Sequence, residues 1–414
     1  MDSNLISITE KNGTPTYIYY EDRIIRNYQG FYQAFKERYG KVKVLYAYKA
    51  NSNLAISRIL KREGAGADVI SGGELKTALK AGVSSENIIY SSNAKTREEL
   101  QLALNAGITI NIDSLDELQL LRDILKIKGG KARISFRINP GVDPKTHPKI
   151  ATGLKESKFG IHIENDLAFN AYKKAGEIQD IEICGVHMHI GSQITETGPF
   201  VDATEKLMGF VHRLKNELGI ELKFVDVGGG LGIPYRGEET TTPKDLANAL
   251  IPVINKGVKD LGYEPELWLE PGRYLVGNSG ILLCKVWSVK KTPYKKFINV
   301  DAGFNTLLRP AMYNAYHRVR VLGKEDVVDR YDVVGNVCES GDILARDREL
   351  PEVKAGDIIA ILDTGAYGFS MSSRYNSRPL PAEILIRSDG SMELIREREN
   401  LEDLFTHQKQ EKIT

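Results

Sequence analysis

A lysine and a pair of histidines lie in apolar segments where such side chains are uncommon. Lys49 stands in YAYKAN, and a lysine in that setting either extends its charge to the surface or is a desolvated, reactive amine. His187 and His189 stand in GVHMHIGSQ, and their spacing of two places both on the same face of a strand. A reactive amine could form a Schiff base with a carbonyl group.

The histidine pair has three possible interpretations. The two side chains could bind a metal ion, could be hydrogen-bonded core residues, or could include one imidazole that stacks on a planar ligand. A metal site needs further ligands, and the first strand, where another His-x-His pair would be expected, holds Lys49 instead. We therefore predict no metal, and we expect His187 to be a core or supporting residue.

Two further segments could hold an anion and a carboxylate. Gly228, Gly229 and Gly230 are followed by Leu231 and Gly232, and such glycines either let backbone N–H groups approach an anion or form a tight turn. The segment EPGR begins with Glu270, which either faces a ligand or pairs with an arginine. An amine, a glycine loop for phosphate, a stacking ring and a carboxylate facing a ring nitrogen are together what pyridoxal phosphate requires.

Eight β-branched or aromatic runs, each associated with a helical pattern, must position these residues. The predicted strands cover 43–50, 66–71, 88–92, 109–113, 132–138, 181–190, 223–230 and 266–272. The runs are mostly apolar, which is typical of strands buried on both faces. Eight strand–helix units over about 240 residues predict a (β/α)8 TIM barrel, with a doubly wound open sheet as the alternative. The chemical residues fall at strand ends, where barrel active sites lie.

The chain changes in character after Gly280. Short strands separated by Gly, Pro and Asp turns predict a C-terminal all-β domain. We place the barrel at 28–280 and the β domain at 281–414 together with 1–27, because the strand-like segment PTYIYYEDRI could pair with it.

Composition excludes several classes of function. Of 414 residues, 56 are Lys or Arg and 55 are Asp or Glu, so the net charge of +1 argues against a nucleic-acid-binding surface. Three cysteines without a CxxC pair argue against a disulfide framework. The polar start and the absence of an 18-residue apolar run predict neither signal peptide nor membrane span, so we expect a cytoplasmic enzyme acting on a small molecule.

The motifs YAYKAN, HIGSQ, VDVGGGLG, EPGRY and NVCESGD resemble those of the fold type III pyridoxal-phosphate decarboxylases over nearly the whole chain. The segment RINPGVDPKTHPKIATGLKESKFGI, HIGSQ and CESGD are typical of members that act on meso-2,6-diaminopimelate. The resemblance implies a carboxy-lyase that releases L-lysine and CO2, the last step of lysine biosynthesis. It also implies a homodimer whose active sites are shared between chains.

The resemblance assigns roles at the cofactor. Lys49 would form the Schiff base with pyridoxal phosphate, His189 would stack on its ring, and Glu270 would contact the pyridine nitrogen. The remaining cofactor-binding residues would be Asp68, Ser192, Gly229, Gly230, Pro271, Gly272, Arg273 and Tyr367.

The resemblance also assigns the substrate and proton-transfer residues. The substrate would be held by Arg273, Arg309, Tyr313, Glu339 and Tyr367. Cys338 would donate a proton to the α-carbon after CO2 leaves, whereas Cys184 and Cys284 are interpreted as small buried side chains. For Arg309 and Tyr313 the alternative is a solvated surface.

Three rival functions stay open. A decarboxylase of ornithine, arginine or a carboxylated polyamine would share the cofactor residues but would bind a distal amine. An alanine racemase would need a catalytic tyrosine, and CESGD argues against it. A non-catalytic pyridoxal-phosphate carrier would lack catalytic groups, whereas Lys49 and Cys338 are both present.

Overall fold

The computed structural model describes residues 2–409, which alternate between strands and helices over much of their length. The strands are β1 (Thr16–Tyr20), β2 (Val42–Ala47), β3 (Gly66–Val69), β4 (Ile88–Tyr90), β5 (Thr109–Ile112), β6 (Ala132–Asn139), β7 (Ile161–His162), β8 (Ile181–His187), β9 (Phe224–Asp226), β10 (Glu266–Leu269), β11 (Gly280–Lys291), β12 (Lys296–Val300), β13 (Val319–Val321), β14 (Asp329–Val334), β15 (Ile343–Leu350), β16 (Ile358–Ile361), β17 (Ala382–Ile386) and β18 (Met392–Arg396). The helices are α1 (Asp2–Asn12), α2 (Glu21–Lys36), α3 (Leu54–Arg62), α4 (Gly72–Ala81), α5 (Arg97–Ala106), α6 (Leu115–Lys128), α7 (Leu167–Gly176), α8 (Gly198–Leu218), α9 (Pro243–Leu261), α10 (Arg273–Val276) and α11 (Arg309–Tyr313).

One compact unit, residues Ile24–Pro234 and Glu239–Leu275, contains a closed parallel barrel. Its eight strands follow the order β2-β3-β4-β5-β6-β8-β9-β10, and β10 pairs with β2 to close the ring. The two-residue strand β7 attaches to β6. The predicted (β/α)8 barrel is confirmed, and the open-sheet alternative is wrong.

The strand β6 shows why these runs are mostly apolar and yet carry chemistry. Phe136 faces outward and packs against Tyr172 of α7, with ring centroids 4.7 Å apart. Ser135 faces inward and donates a hydrogen bond of 2.8 Å to Asn111 of β5. Alternate residues of a strand point to opposite faces, so the outer face packs on helices while the inner face can hold polar groups.

Local sequence signals fix the ends of the surrounding helices. Thr96 and Thr242 form capping boxes at the starts of α5 and α9. Glycines in the left-handed conformation follow α4, α5, α8 and α9. These caps keep the loops short where each helix returns to the next strand.

The other compact unit comprises the residues up to Arg23, Tyr235–Glu238 and the chain from Val276 onward. Its nine-stranded sheet has the order β15-β14-β12-β11-β1-β17-β18, with β16 pairing β11 and β13. The first strand, β1, is antiparallel to β11 and parallel to β17. The expected pairing of the opening segment with later strands is therefore confirmed. The domain boundaries at 28 and 280 stay a prediction.

Two N-terminal helices were missed. The residues EDRI, read as a continuation of β1, begin α2 instead, and Glu21 and Asp22 lie in its first turn, where the helix dipole favours acidic side chains. Helix α1 places Leu5 and Ile8 in an apolar cluster with Ile18 of β1. Within residues 2–409, no helix is long and apolar enough to cross a bilayer.

Candidate active site

Lys49 lies at the carboxyl end of the barrel, in a 3₁₀ turn (Tyr48–Ala50) that follows β2. Its Nζ is 3.0 Å from Oδ2 of Asp68 in β3, whose side chain is completely buried, while 28% of the Lys49 side chain is exposed. Burial and then the charge of Glu270 raise the pKa of Asp68, although Lys49 opposes both effects. The amine therefore lies against a buried carboxyl group and remains accessible.

Glu270 immediately follows β10 and shares a hydrogen bond with His187 of β8. Its Oε2 is 3.0 Å from His187 Nε2, and both side chains are buried. Burial alone would raise the pKa of Glu270, but His187 and then Lys49 outweigh it and lower the pKa. The Glu270 carboxylate is therefore ionised.

Asp226 of β9 lies beside this pair, and its pKa is shifted in the opposite direction. Its Oδ1 accepts a hydrogen bond of 2.8 Å from the backbone N–H of Gly228. Burial and then the charge of Glu270 raise the pKa of Asp226 well above its ordinary range. Burial and Glu270 therefore both favour the protonated form of Asp226.

His189 lies two residues beyond the end of β8. The backbone N–H of Gly229 donates to its Nδ1 over 3.2 Å. Burial and then the charge of Lys49 lower the pKa of His189 well below its ordinary range. The imidazole is thus neutral, with the proton on Nε2 and its orientation fixed by the glycine loop.

The glycine loop after β9 packs directly against the turn that contains Glu270. A Cβ at Gly229 would lie 2.0 Å from the carbonyl oxygen of Glu270, so only glycine fits. Gly230 has a φ of +115°, and a Cβ there would lie 2.5 Å from the carbonyl oxygen of Gly191. Both positions therefore require glycine, because the backbone of this loop packs closely on the neighbouring loops.

The EPGR turn completes this end of the barrel. The backbone N–H of Ala47 donates to the carbonyl of Pro271, and a Cβ at Gly272 would lie 3.1 Å from the Cβ of Ala47. Arg273 begins α10, is 6% exposed, and donates from Nη2 to Oγ of Ser192 over 2.9 Å. A buried guanidinium next to a hydroxyl group is a suitable partner for a phosphate.

The barrel mouth therefore brings together all the predicted cofactor residues that lie in this unit. They are Lys49, Asp68, His189, Ser192, Gly229, Gly230, Glu270, Pro271, Gly272 and Arg273. The described residues also include one group whose ligand atoms could hold a metal ion, formed by His187, Asp226 and Glu270, with atoms within 4.8 Å of one another.

The remaining predicted site residues lie in the unit that holds the nine-stranded sheet. Arg309 is 5% exposed, donates from Nη1 to Nε2 of His317 over 2.7 Å, and lies 4.5 Å from the ring centroid of Tyr235. The solvated-surface alternative is thus wrong for Arg309. Tyr313 ends α11 and is half-buried, and Tyr367 is half-buried with a φ of +56°.

Cys338 lies in an exposed loop, unlike the other two cysteines. Its backbone N–H donates to Oδ1 of Asn376 over 2.9 Å, and the neighbouring Glu339 accepts a hydrogen bond of 2.5 Å from the hydroxyl of Tyr375. Cys184 and Cys284 are buried, as predicted, and burial raises both pKa values. Only Cys338 presents its thiol to solvent within this single chain.

The sequence analysis missed Asp226 and Arg137 as members of the site. Asp226 pairs in register with His187, so the two side chains share a face. Arg137 of β6 is 7% exposed, and its guanidinium interacts electrostatically with Glu270 and Asp68. The available signal was a charged residue within each apolar strand, VDV and SFRIN, because such residues are rarely buried without a partner.

Comparisons with known proteins agree with this geometry. Residues 22–277 match the family model described as pyridoxal-dependent decarboxylase, pyridoxal binding domain. The chain is 48% identical over 404 residues to a diaminopimelate decarboxylase of Archaeoglobus fulgidus, covering 97% of this chain and 94% of that protein.

Solved structures of similar proteins extend over the same length. A diaminopimelate decarboxylase from M. jannaschii in complex with L-lysine has a TM-score of 0.93 and 46% identity, covering 98% of this chain and 94% of that one. One from Helicobacter pylori, also with L-lysine, has a TM-score of 0.91 and 42% identity, covering 97% and 98%. The chain therefore belongs to the pyridoxal-dependent decarboxylases and, within them, to the diaminopimelate decarboxylase family.

Proposed function

We propose that this chain decarboxylates meso-2,6-diaminopimelate to L-lysine and CO2, using pyridoxal phosphate bound at the barrel mouth. The observation that carries the proposal is the placement of Lys49 next to Asp68 in the same barrel mouth as the ionised Glu270. The names of its relatives, and L-lysine in two solved structures, support the choice of substrate.

The polar atoms of the barrel mouth fit the cofactor. Oε1 of Glu270 and Oδ1 of Asp68 are buried and have no hydrogen-bond partner among residues 2–409. A buried acceptor without a partner is costly, and a ring N–H would satisfy Glu270. The glycine loop at Gly229 and Gly230, the Glu270–Arg273 turn and Ser192 would hold the phosphate.

The protein groups around the cofactor have distinct tasks. When bound, the cofactor supplies an electron sink for the bond that breaks. Lys49 would hold the cofactor's aldehyde carbon through its amine, give way to the substrate's amino group, and return when the product leaves. Glu270 would keep a proton on the ring nitrogen, and the neutral imidazole of His189 would cover one ring face.

The substrate would be oriented by residues that recognise its far end. Arg309, Arg273 and Tyr313 would bind the distal carboxylate, since a guanidinium suits a carboxylate better than an amine. Glu339 would pair with the distal amino group, and Tyr367 would approach the cofactor and substrate. A substrate that ends in an amine alone would offer these arginines no carboxylate.

Cys338 would donate a proton to the α-carbon after CO2 leaves. Its thiol is exposed in the isolated chain, and the motifs of this family support a homodimer in which the loop completes the partner's site. We propose such a dimer, with each active site shared between chains. A cytoplasmic location would keep this exposed thiol reduced.

A comparison of two substrates tests the proposal. Purified protein with pyridoxal phosphate should release CO2 and L-lysine from meso-diaminopimelate and very little CO2 from L-ornithine. Released CO2 and the amine product are measured in parallel for the two substrates. Preference for ornithine would contradict the substrate assignment and favour the sister decarboxylases.

A further inference from the structure

His187 has no task in the chemistry described above, yet it is completely buried at the barrel mouth. It pairs in register with Asp226 on the neighbouring strand, and its Nε2 is 3.0 Å from Oε2 of Glu270. The three side chains have ligand atoms within 4.8 Å of one another. A buried polar cluster of this kind needs a function or a full set of partners.

The hydrogen bonds assign a direction to the contact between His187 and Glu270. Glu270 is ionised and accepts only, so the proton of the shared hydrogen bond belongs to His187 Nε2. Nδ1 of His187 has no hydrogen-bond partner among residues 2–409. Burial and then the charge of Glu270 raise the pKa of Asp226, which disfavours a second negative charge beside Glu270.

The same hydrogen bond fixes the geometry of Glu270. With Oε2 held by His187, the plane of the carboxylate is set and Oε1 is the atom left for another donor. We propose that His187, beside Asp226, is a positioning residue that fixes the Glu270 carboxylate and directs Oε1 at the cofactor's ring nitrogen. The inference rests on the proposed function, because the ring nitrogen belongs to the proposed cofactor.

The other charged groups near Glu270 do not replace His187. The titratable and charged groups that interact with Glu270 come from the ends of five barrel strands and are Lys49, Asp68, Arg137, His187, His189 and Asp226. Lys49 is hydrogen-bonded to Asp68, and Nδ1 of His189 is bonded to Gly229. His187 donates to Oε2 of Glu270 over 3.0 Å, and the carboxyl group of Asp226 is also in hydrogen-bond contact with Glu270.

Substitutions that keep or remove the donor test this role. His187→Gln retains an N–H that can reach Glu270, whereas His187→Phe keeps the ring and removes the donor. Each protein is loaded with ¹⁵N-labelled pyridoxal phosphate, and the chemical shift of the ring nitrogen is measured by NMR. We expect a protonated nitrogen in the wild type and His187→Gln, and a shift toward the unprotonated value in His187→Phe.

Turnover provides a second readout. A residue that orients a catalytic group affects turnover more than substrate binding. His187→Phe should therefore lower kcat by about tenfold or more and leave KM within about twofold. His187→Gln should recover much of the lost kcat. Circular dichroism of the cofactor-free proteins checks folding. If His187→Phe does not fold, the smaller His187→Leu gives the same comparison of donor against no donor.

Separate outcomes overturn the inference and the proposed function. If folded His187→Phe shows the same ring-nitrogen chemical shift as the wild type, the positioning role alone is overturned. The same holds if the wild type binds one equivalent of metal and this variant binds none. A wild-type protein that binds no pyridoxal phosphate would overturn the proposed function and this inference with it.

Discussion

At the scale of single residues, three carboxyl groups in one barrel mouth differ in how their pKa values are shifted. Glu270 has a lowered pKa because His187 and Lys49 outweigh its burial, whereas Asp226 has a raised pKa because burial and Glu270 act together. Burial and then Glu270 also raise the pKa of Asp68, and Lys49 opposes this effect. Glu270 is therefore the one carboxyl group of the three that the site favours in its ionised form. Its charge can be directed at a single atom of a ligand.

Asp226→Asn tests the raised pKa of Asp226. As pH rises above about 4, an unfolded chain loses this proton before the folded chain does, so stability declines through the window up to the raised folded pKa. The amide cannot titrate, so the free energy of unfolding of the variant should rise relative to that of the wild type by up to about 1.4 kcal/mol per pH unit in that window. Urea unfolding of the cofactor-free proteins from pH 4 to 8 measures this difference.

Parallel pH dependence of the two proteins would show that Asp226 is ionised in the folded chain. Asp245→Asn is a suitable control, because Asp245 is an exposed capping residue whose pKa is lowered by Thr242. Asp245→Asn should therefore be less stable than the wild type at neutral pH, and this difference should shrink as pH falls.

Cys338→Ala tests the proposed proton donor. The variant should bind pyridoxal phosphate and substrate normally but turn over about a hundredfold more slowly, the size expected for loss of a general acid. Steady-state kinetics and the visible cofactor spectrum measure the two effects separately. Ser340→Ala, in the same exposed loop, is the matched control and should keep wild-type turnover. Comparable rates for Cys338→Ala and the control would remove Cys338 from the mechanism.

At the scale of elements, the glycine loop after β9 is the part of the barrel most sensitive to substitution. Gly230→Ala adds a Cβ 2.5 Å from the carbonyl oxygen of Gly191, at a φ of +115°. We expect cofactor affinity to fall by about tenfold or more, equivalent to about 1.4 kcal/mol. Titration of the cofactor-free protein with pyridoxal phosphate measures the loss.

Gly219→Ala separates backbone strain from steric clash. Gly219 also has a positive φ, at +67°, but no atom lies within 4 Å of a Cβ there. This control should lose about 1 kcal/mol of stability and bind the cofactor as wild type does. Equal cofactor affinity in the two variants would show that close packing of the loop has no part in binding.

The sequence predicted the eight barrel strands because each is an apolar run with a helical pattern nearby. Helix α2 was missed although Ile24, Tyr28, Phe31 and Phe35 follow a helical period, since the preceding β1 suggested a longer strand. Helix α1 gave little signal, because its stability comes from packing Leu5 and Ile8 on a sheet formed by distant segments.

The site was predictable only in part, for a similar reason. Spacing placed His187 and His189 on one face, and motifs pointed to Lys49 and Glu270. The contact of His187 with Glu270 joins residues 83 positions apart, and the pairing with Asp226 depends on the register of β8 and β9. Neither the partner nor the charge state of a buried group can be read from a single segment.

At the scale of the whole molecule, the proposed shared active site makes activity a property of the dimer. Lys49→Ala and Cys338→Ala variants should each have little activity. When they are mixed and exchanged, half of the dimers become hybrids with one intact site, so about a quarter of wild-type activity should return. Mixing Lys49→Ala with the double variant is the control and should restore none. No recovery after demonstrated subunit exchange would contradict the shared site.

The covalent attachment of pyridoxal phosphate to Lys49 is the claim on which the proposed function depends. Its most direct test is to reduce the cofactor-loaded protein with borohydride, digest it, and locate the added pyridoxyl mass by tandem mass spectrometry. We predict the modification on the peptide that contains YAYKAN, at Lys49, and its absence from Lys49→Ala. Modification of a different lysine, or of none, would contradict the account.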